Sequence, residues 1–214
     1  MKLAAKSCKL EAIMLHTVIF MGQSGSGKGT QVALFNDRIR QLDPGKRQIM
    51  YVETGDSFRK FIKGENYSSL IAKERADKGR RQPDFLACMM WGNILTQELD
   101  RDMHIVFDGV ARSLNEAKML TTALEFYERK PTVIYIKVSD KWAEERLLGR
   151  GRADDRSIEK VHGRLHWFNT DVLPSIKYFK EEPFYRVLEI NGEQTIEKVH
   201  QDIMQAYEQD NDKA

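Results

Sequence analysis

The sequence is poor in cysteine and proline and has no long hydrophobic run. Two cysteines, Cys8 and Cys88, among 214 residues exclude a disulfide framework and a four-cysteine zinc site, so we expect two reduced thiols. No run approaches the ~18 apolar residues of a membrane span, and charged residues interrupt residues 1–16 too often for a signal peptide. The net charge of +2 is small for a protein dedicated to duplex nucleic acid. We therefore expect a soluble, cytoplasmic protein without a nucleic-acid or membrane partner.

Short apolar runs alternate with helical periodicity along the chain. The runs favour β-strands at residues 17–21, 49–52, 105–107, 132–138 and 185–190. Apolar residues recur at helical spacing in the first helix (Val32, Phe35, Ile39 and Leu42) and in the last (Ile196, Val199, Ile203 and Tyr207). This alternation predicts an α/β fold, with a five-stranded parallel sheet and helices on both faces. Ligands of such sheets bind at the carboxyl ends of the strands.

Two stretches interrupt the alternation. Residues of about 54–84 have helical patterns without a strand, and residues of about 149–156 are short, charged and glycine-containing. We interpret both as insertions at the ligand edge. The predicted organisation is an N-terminal extension over residues 1–16 and one domain over 17–214, with a core of 17–53, 85–148 and 157–214.

A glycine-rich loop, Gly22-Gln-Ser-Gly-Ser-Gly-Lys-Gly-Thr30, follows the first strand and opens the first helix. Glycines let the backbone wrap around a phosphate, and the helix N-terminus adds positive potential. Lys28 can reach the terminal phosphates of a nucleotide, and Thr30 can support Mg²⁺. Placed between strand and helix, the loop indicates a P-loop NTPase fold, although Gly29 separates the lysine from the hydroxyl residue that usually follows it.

The Lys-Gly-Thr ending of this loop resembles the P-loop of adenylate kinases. Three further blocks occur in the order of that family: Thr54-Gly-Asp-Ser-Phe-Arg59, Asp108-Gly-Val-Ala-Arg112, and Arg146-Leu-Leu-Gly-Arg150 with Arg152 and Arg164. The resemblance implies a nucleoside monophosphate kinase with a short lid. Such an enzyme transfers the γ-phosphoryl group of Mg-ATP to a nucleoside monophosphate (NMP). It also implies that residues of about 54–84 bind the NMP and that residues of about 149–156 form the lid.

The resemblance assigns candidate site residues. ATP would be bound by Gly25, Ser26, Gly27, Lys28, Gly29, Thr30 and Arg146. The NMP would be bound by Thr54, Gly55, Arg59, Gln82, Gly109, Arg112 and Glu116. The catalytic groups would be Lys28, Arg112, Arg150, Arg152 and Arg164, while Thr30 and Asp108 would organise Mg²⁺ through water. Phosphoryl transfer needs fixed cations around anionic oxygens, and the planar guanidinium of arginine suits that task.

Glu116 departs from the family pattern, which has glutamine at this position. An ionised carboxylate only accepts hydrogen bonds, so it would oppose the ring nitrogen of adenine at a cost of about 1–3 kcal/mol. It would match guanine, which presents donors. AMP is the first expectation for the acceptor, with GMP or a pyrimidine NMP as alternatives. Another interpretation makes Glu116 a surface helix residue. Arg81 and Gln82 also stand where the family has two apolar residues.

Val110 and Ala111 replace a Phe-Pro pair of the family, which predicts trans peptide bonds and a different presentation of Arg112. Activity could be weak or specialised. The alternative function is therefore a catalytically weak, nucleotide-binding regulatory protein on the same fold, although the complete lysine and arginine set argues against it. We expect the five histidines and the three tryptophans to be structural. We also expect a monomer, and no metal beyond the Mg²⁺ that accompanies ATP.

Overall fold

The computed structural model describes residues 15–149 and 158–211, without the side chains of residues 210 and 211. Five strands form one sheet: Thr17–Met21 (β1), Ile49–Glu53 (β2), His104–Asp108 (β3), Thr132–Lys137 (β4) and Arg186–Asn191 (β5). All pairs are parallel, and the spatial order is β2-β3-β1-β4-β5. The five predicted strands are confirmed, and their ends differ from the expectation by one residue at most.

Helices connect the strands and cover both faces of the sheet. They are Lys28–Leu42 (α1), Thr54–Phe61 (α2), Tyr67–Asp77 (α3), Asp84–Glu98 (α4), Leu114–Phe126 (α5), Asp140–Gly149 (α6), Ile158–Trp167 (α7), Leu173–Glu181 (α8) and Ile196–Asn211 (α9). A π-helical turn, Phe168–Val172, joins α7 to α8. The predicted α/β class is confirmed.

The core consists of two apolar layers, one on each face of the sheet. On one face, Ile19 and Phe107 pack with residues of α4, α5 and α8. On the other, Phe20 packs with α1 and α9. Because both faces are covered, every residue of β1 and β3 is buried, and the apolar residues at the centre of each strand are consecutive rather than alternating.

The apolar stripes of the first and last helices extend beyond the sheet. Val32, Phe35 and Ile39 are buried as expected. Leu42 is 45% exposed and Ile196 is 44% exposed, so these two ends of the stripes lie outside the core. Both residues lie at a helix end, where the sheet no longer covers the stripe.

Between β2 and α4 the chain forms two helices, α2 and α3, and no strand. Thr54 begins α2 directly after β2, and its Oγ1 donates to the carbonyl oxygen of Gly109 over 2.5 Å. Asn66 caps α3, since its side chain accepts from the backbone N–H of Ser69. The carboxyl ends of β1, β2 and β3 thus bring the glycine-rich loop, the start of α2 and the Gly109 turn to one edge.

The loop after β3 contains Val110 and Ala111, both fully buried. No cis peptide bond occurs among the described residues, which confirms the expected trans loop. Ala111 has a φ of +58°, a left-handed conformation that is unusual for alanine. Within residues 15–149 and 158–211, no helix is long and apolar enough to cross a membrane.

Candidate active site

The glycine-rich loop is held against the end of β4. Gly25 has a φ of +90°, and a Cβ there would lie 2.5 Å from the carbonyl oxygen of Ala143, so the loop requires glycine at this position. The side chain of Gln23 donates to the carbonyl oxygens of Val138 and Ser139 at 3.1 and 3.0 Å. This role of Gln23 was not predicted, since a glutamine in a loop gives no sequence signal of partners that lie far away in the chain.

Lys28 and Asp108 meet where α1 begins and β3 ends. Lys28 Nζ lies 3.7 Å from Asp108 Oδ1, and Tyr51 Oη donates to Asp108 Oδ2 over 3.2 Å. Burial raises the pKa of Tyr51, and the neighbouring Asp108 charge raises it further, so the hydroxyl keeps its proton. Tyr51 was not expected at the site. Its two neighbours in β2 are buried, whereas Tyr51 lies on the opposite, more exposed side of the strand.

Arg59, Arg112 and Arg164 contribute cations to the same cavity. The guanidinium of Arg112 lies 5.9 Å from the ring centroid of Trp167. Burial lowers the pKa of Arg112, and Arg164 and Arg81 lower it further by repulsion, while Asp108 and Glu116 oppose them. An anion bound here would relieve that repulsion. Arg59 Nη2 contacts Glu53 Oε1 at 3.0 Å and Asp56 Oδ1 at 3.5 Å.

Arg146 projects from α6 and stacks on Trp142, four residues earlier, with 4.7 Å between its guanidinium carbon and the ring centroid. Trp142 was expected to be a packing residue, and here its ring supports a cavity residue. Trp167 was also expected to pack, and it does contact the core, but it lines the cavity as well.

Glu116 is 2% exposed, so its interpretation as a surface helix residue is wrong. Its Oε1 accepts from Arg81 Nη1 over 2.9 Å, and its Oε2 accepts from the backbone N–H of Arg112 over 3.2 Å. Burial raises the pKa of Glu116, and these donors act against the rise. Arg81 also contacts Asp84 Oδ1 at 2.7 Å and Asp171 Oδ2 at 3.1 Å.

One cavity of about 1080 Å³ brings the candidate residues together. Those on its wall are Gly25, Gly27, Lys28, Gly29, Thr30, Thr54, Gly55, Arg59, Gln82, Asp108, Gly109, Arg112, Glu116, Arg146 and Arg164. Ser26 is 4% exposed and does not line the cavity, and its N–H donates within the loop to the carbonyl oxygen of Gln23. Arg150 and Arg152 lie outside the described residues. This volume lies at the upper end of the range for small-ligand pockets.

Three features define a P-loop phosphotransferase. They are the glycine-rich loop between β1 and α1, the carboxylate at the end of the adjacent β3, and the strand order of the sheet. The family model described as adenylate kinase matches residues 20–184. The chain belongs to the adenylate kinase family.

Curated relatives agree over nearly the whole chain. An adenylate kinase of Flavobacterium psychrophilum is 32% identical over 194 residues, which cover 87% of this chain and 94% of the relative. An adenylate kinase of Leptospira biflexa is 32% identical over 197 residues, 90% of this chain and 100% of the relative. An adenylate kinase of Parabacteroides distasonis is 33% identical over 199 residues, 90% of this chain and 97% of the relative.

Proposed function

We propose that this chain transfers the γ-phosphoryl group of Mg-ATP to AMP and forms two molecules of ADP. An oxygen of the AMP phosphate bonds to the γ-phosphorus, and the bond from that phosphorus to the β–γ bridging oxygen breaks. The observation that carries the proposal is the single cavity shared by the glycine-rich loop and by Arg59 and Arg112. The curated names of the relatives support AMP as the acceptor.

In this proposal the ATP phosphates bind the glycine-rich loop, whose candidate residues are Gly25, Ser26, Gly27, Lys28, Gly29 and Thr30. Arg146 stacks on the base of ATP with one face and on Trp142 with the other, an arrangement that the 4.7 Å contact supports. Lys28 lies at the junction with the acceptor side, next to Asp108. It is therefore suited to the charge that develops on the transferred phosphoryl group.

The phosphate of AMP binds Arg59 and Arg112, and the catalytic cations are Lys28, Arg112 and Arg164, together with Arg150 and Arg152 outside the described residues. Arginine can grip phosphate through two parallel N–H donors. The remaining AMP-binding candidates are Thr54, Gly55, Gln82, Gly109 and Glu116. The Thr54 hydroxyl donates to Gly109, and the Gln82 amide donates to the Ala72 carbonyl oxygen at 2.8 Å, so both side chains retain acceptor capacity.

Thr30 and Asp108 fit the Mg²⁺ that accompanies ATP, because both offer oxygen atoms at the cavity wall. Asp108 is 8% exposed, and its Oδ1 faces Lys28 across the cavity wall. No group of three His, Cys, Asp or Glu side chains that could hold a metal occurs within the described ranges. We therefore propose that the ion is held mainly by the ATP phosphates and by water, which Thr30 and Asp108 orient. When bound, Mg²⁺ neutralises charge on the phosphate oxygens.

We further propose that residues of about 54–84 and 149–156 close over the two nucleotides and exclude water that would hydrolyse ATP. The enzyme would act as a cytoplasmic monomer. One chain supplies both walls of the cavity, which supports the monomer.

A phosphoryl-transfer screen tests the proposal. The protein is mixed with Mg-ATP and, separately, with AMP, GMP, CMP or UMP, and the diphosphate formed is measured. We expect AMP to give the highest kcat/KM and a Lys28→Met variant to give almost no product. A faster reaction with GMP would reject AMP as the preferred acceptor. Binding of ATP without turnover of any acceptor would favour the regulatory protein instead.

A further inference from the structure

Arg81 and Glu116 form a charge pair in the wall of the cavity. Arg81 precedes α4, Glu116 lies in the first turn of α5, and both line the cavity. The side chain of Arg81 is 20% exposed and that of Glu116 is 2% exposed. A pair this sheltered is screened by salt far less than one on the surface.

Carboxylates on three elements hold the Arg81 guanidinium. Asp84 on α4 and Glu116 on α5 contact Nη1, and Asp171 on the π-helical turn contacts Nε. Its Nη2 has no hydrogen-bond partner within residues 15–149 and 158–211. The planar guanidinium cannot rotate without breaking these contacts, so the donors of Nη2 are held beside Glu116.

Glu116 alone could not match the adenine edge. That edge presents an exocyclic amino group, which donates, and ring nitrogen N1, which accepts. An ionised carboxylate offers acceptors only. A carboxylate with a guanidinium fixed beside it offers an acceptor and a donor side by side. Each Glu116 oxygen accepts one hydrogen bond from the protein, which leaves a lone pair on each for the amino group.

We propose that Arg81 and Glu116 read the acceptor base together, with Glu116 accepting from the amino group of adenine and Arg81 donating to N1. The inference rests on the proposed function, and it makes Arg81 a specificity-determining residue. The Glu116 carboxylate therefore does not exclude AMP, because its neighbour supplies the donor that it lacks.

Equilibrium binding isolates the Arg81 contact. Calorimetry would measure the Kd of AMP and of 1-deaza-AMP, whose carbon at position 1 accepts no hydrogen bond. The wild type should bind AMP roughly 10- to 100-fold more tightly, the difference expected for one hydrogen bond from a charged group. Arg81→Leu should weaken the binding of AMP by a similar factor and change the Kd of 1-deaza-AMP by less than about threefold.

Two further variants separate base reading from stability. Arg81→Leu combined with Glu116→Gln should bind AMP at least about fivefold more tightly than Arg81→Leu alone, because an amide both accepts and donates. Lys73→Leu is the matched control. It removes an exposed cation of α3 that does not line the cavity, and it should leave both affinities unchanged.

If Arg81→Leu weakened the binding of AMP and of 1-deaza-AMP equally, the inference would be overturned, because the arginine would then only stabilise the fold. Equal wild-type affinity for the two ligands would overturn it even if the variant failed to fold. Tighter wild-type binding of GMP than of AMP would overturn the adenine assignment. These binding results are independent of turnover. AMP binding with the expected pattern but without ADP formation would reject the proposed function alone.

Discussion

The hydroxyl of Tyr51 donates a hydrogen bond to Oδ2 of Asp108 over 3.2 Å and thereby links β2 to the carboxyl end of β3. The other oxygen of Asp108 faces Lys28 Nζ at 3.7 Å. The carboxylate is therefore held between a neutral donor and a cation. In the proposed function Lys28 also binds the phosphates of ATP, so the orientation of the Asp108 carboxylate toward water around Mg²⁺ should depend on the neutral donor.

Replacing Tyr51 by phenylalanine removes this donor with little change in shape. We expect the Mg²⁺ concentration for half-maximal activity to rise about fivefold, as a hydrogen bond of about 1 kcal/mol implies, with kcat at saturating Mg²⁺ nearly unchanged. The measurement is a Mg²⁺ titration of the kinase assay. Tyr67→Phe is the control, since Tyr67 is 79% exposed on α3. An unchanged Mg²⁺ requirement would show that the hydrogen bond does not orient Asp108.

Lys28→Met should lower kcat by about 10²–10³, because it removes a fixed cation that would stabilise the charge developing on the transferred phosphoryl group. The side chain contacts Asp108 at the cavity wall and is absent from the apolar layers, so the fold should persist. Steady-state kinetics and circular dichroism test both expectations. Lys118→Met, at an exposed position of α5, serves as the control. Retention of more than a tenth of wild-type kcat would argue against a role for Lys28 in the transition state.

Gly25→Ala should lower the free energy of unfolding by about 1–3 kcal/mol and weaken ATP binding. The new Cβ would meet the Ala143 carbonyl oxygen, in a backbone conformation that alanine rarely adopts. Gly92→Ala offers the opposite case. Gly92 lies inside α4 and has open space at its Cβ position, so alanine should stabilise the protein by about 0.5–1 kcal/mol. Urea denaturation compares the two, and equal effects would contradict the strained conformation of the loop.

A histidine pair at the amino ends of β1 and β3 should make the stability of the protein depend on pH. His16 Nδ1 lies 2.8 Å from Tyr207 Oη, and its ring centroid is 4.9 Å from that of His104. The pKa of His16 is lowered to about 4, mainly by burial and then by the charge of His104, while Asp43 opposes the shift. The folded pKa is thus below the unfolded value. Its contribution to stability is complete above pH ~6.5 and falls as the pH drops toward about 4, because only the unfolded chain then binds the proton.

Urea denaturation at pH 7.5, 6, 5 and 4.5 tests this dependence. Between pH 7.5 and 4.5 we expect the free energy of unfolding to fall by about 1–2 kcal/mol because of His16. This is less than the full pKa shift would imply, because the side chain is partly exposed. His16→Asn should flatten the slope over this range, whatever it does to stability at pH 7.5. His162→Asn should leave the slope unchanged, since His162 is exposed and contacts Glu144 on the surface. Equal slopes for the wild type and His16→Asn would assign the pH dependence to other groups.

Local sequence patterns were sufficient to predict the sheet and the phosphate loop. Strands covered on both faces have consecutive apolar residues at their centres, so β1, β3 and β4 could be recognised from short apolar runs. The loop could be recognised because its glycines and Lys28 act through local backbone geometry. Helical periodicity did not predict burial at Leu42 and Ile196, which are exposed at the ends of their helices.

The tertiary structure alone decided which polar groups meet. Gln23 reaches Val138 across 115 positions of sequence, Tyr51 reaches Asp108 across 57, and Arg81 reaches Glu116 across 35. Periodicity describes one element at a time, whereas these contacts depend on the packing of two. The same packing removed Glu116 from water and placed the guanidinium of Arg81 beside it. A residue with an ambiguous role in the sequence thus became half of a charge pair in the wall of the cavity.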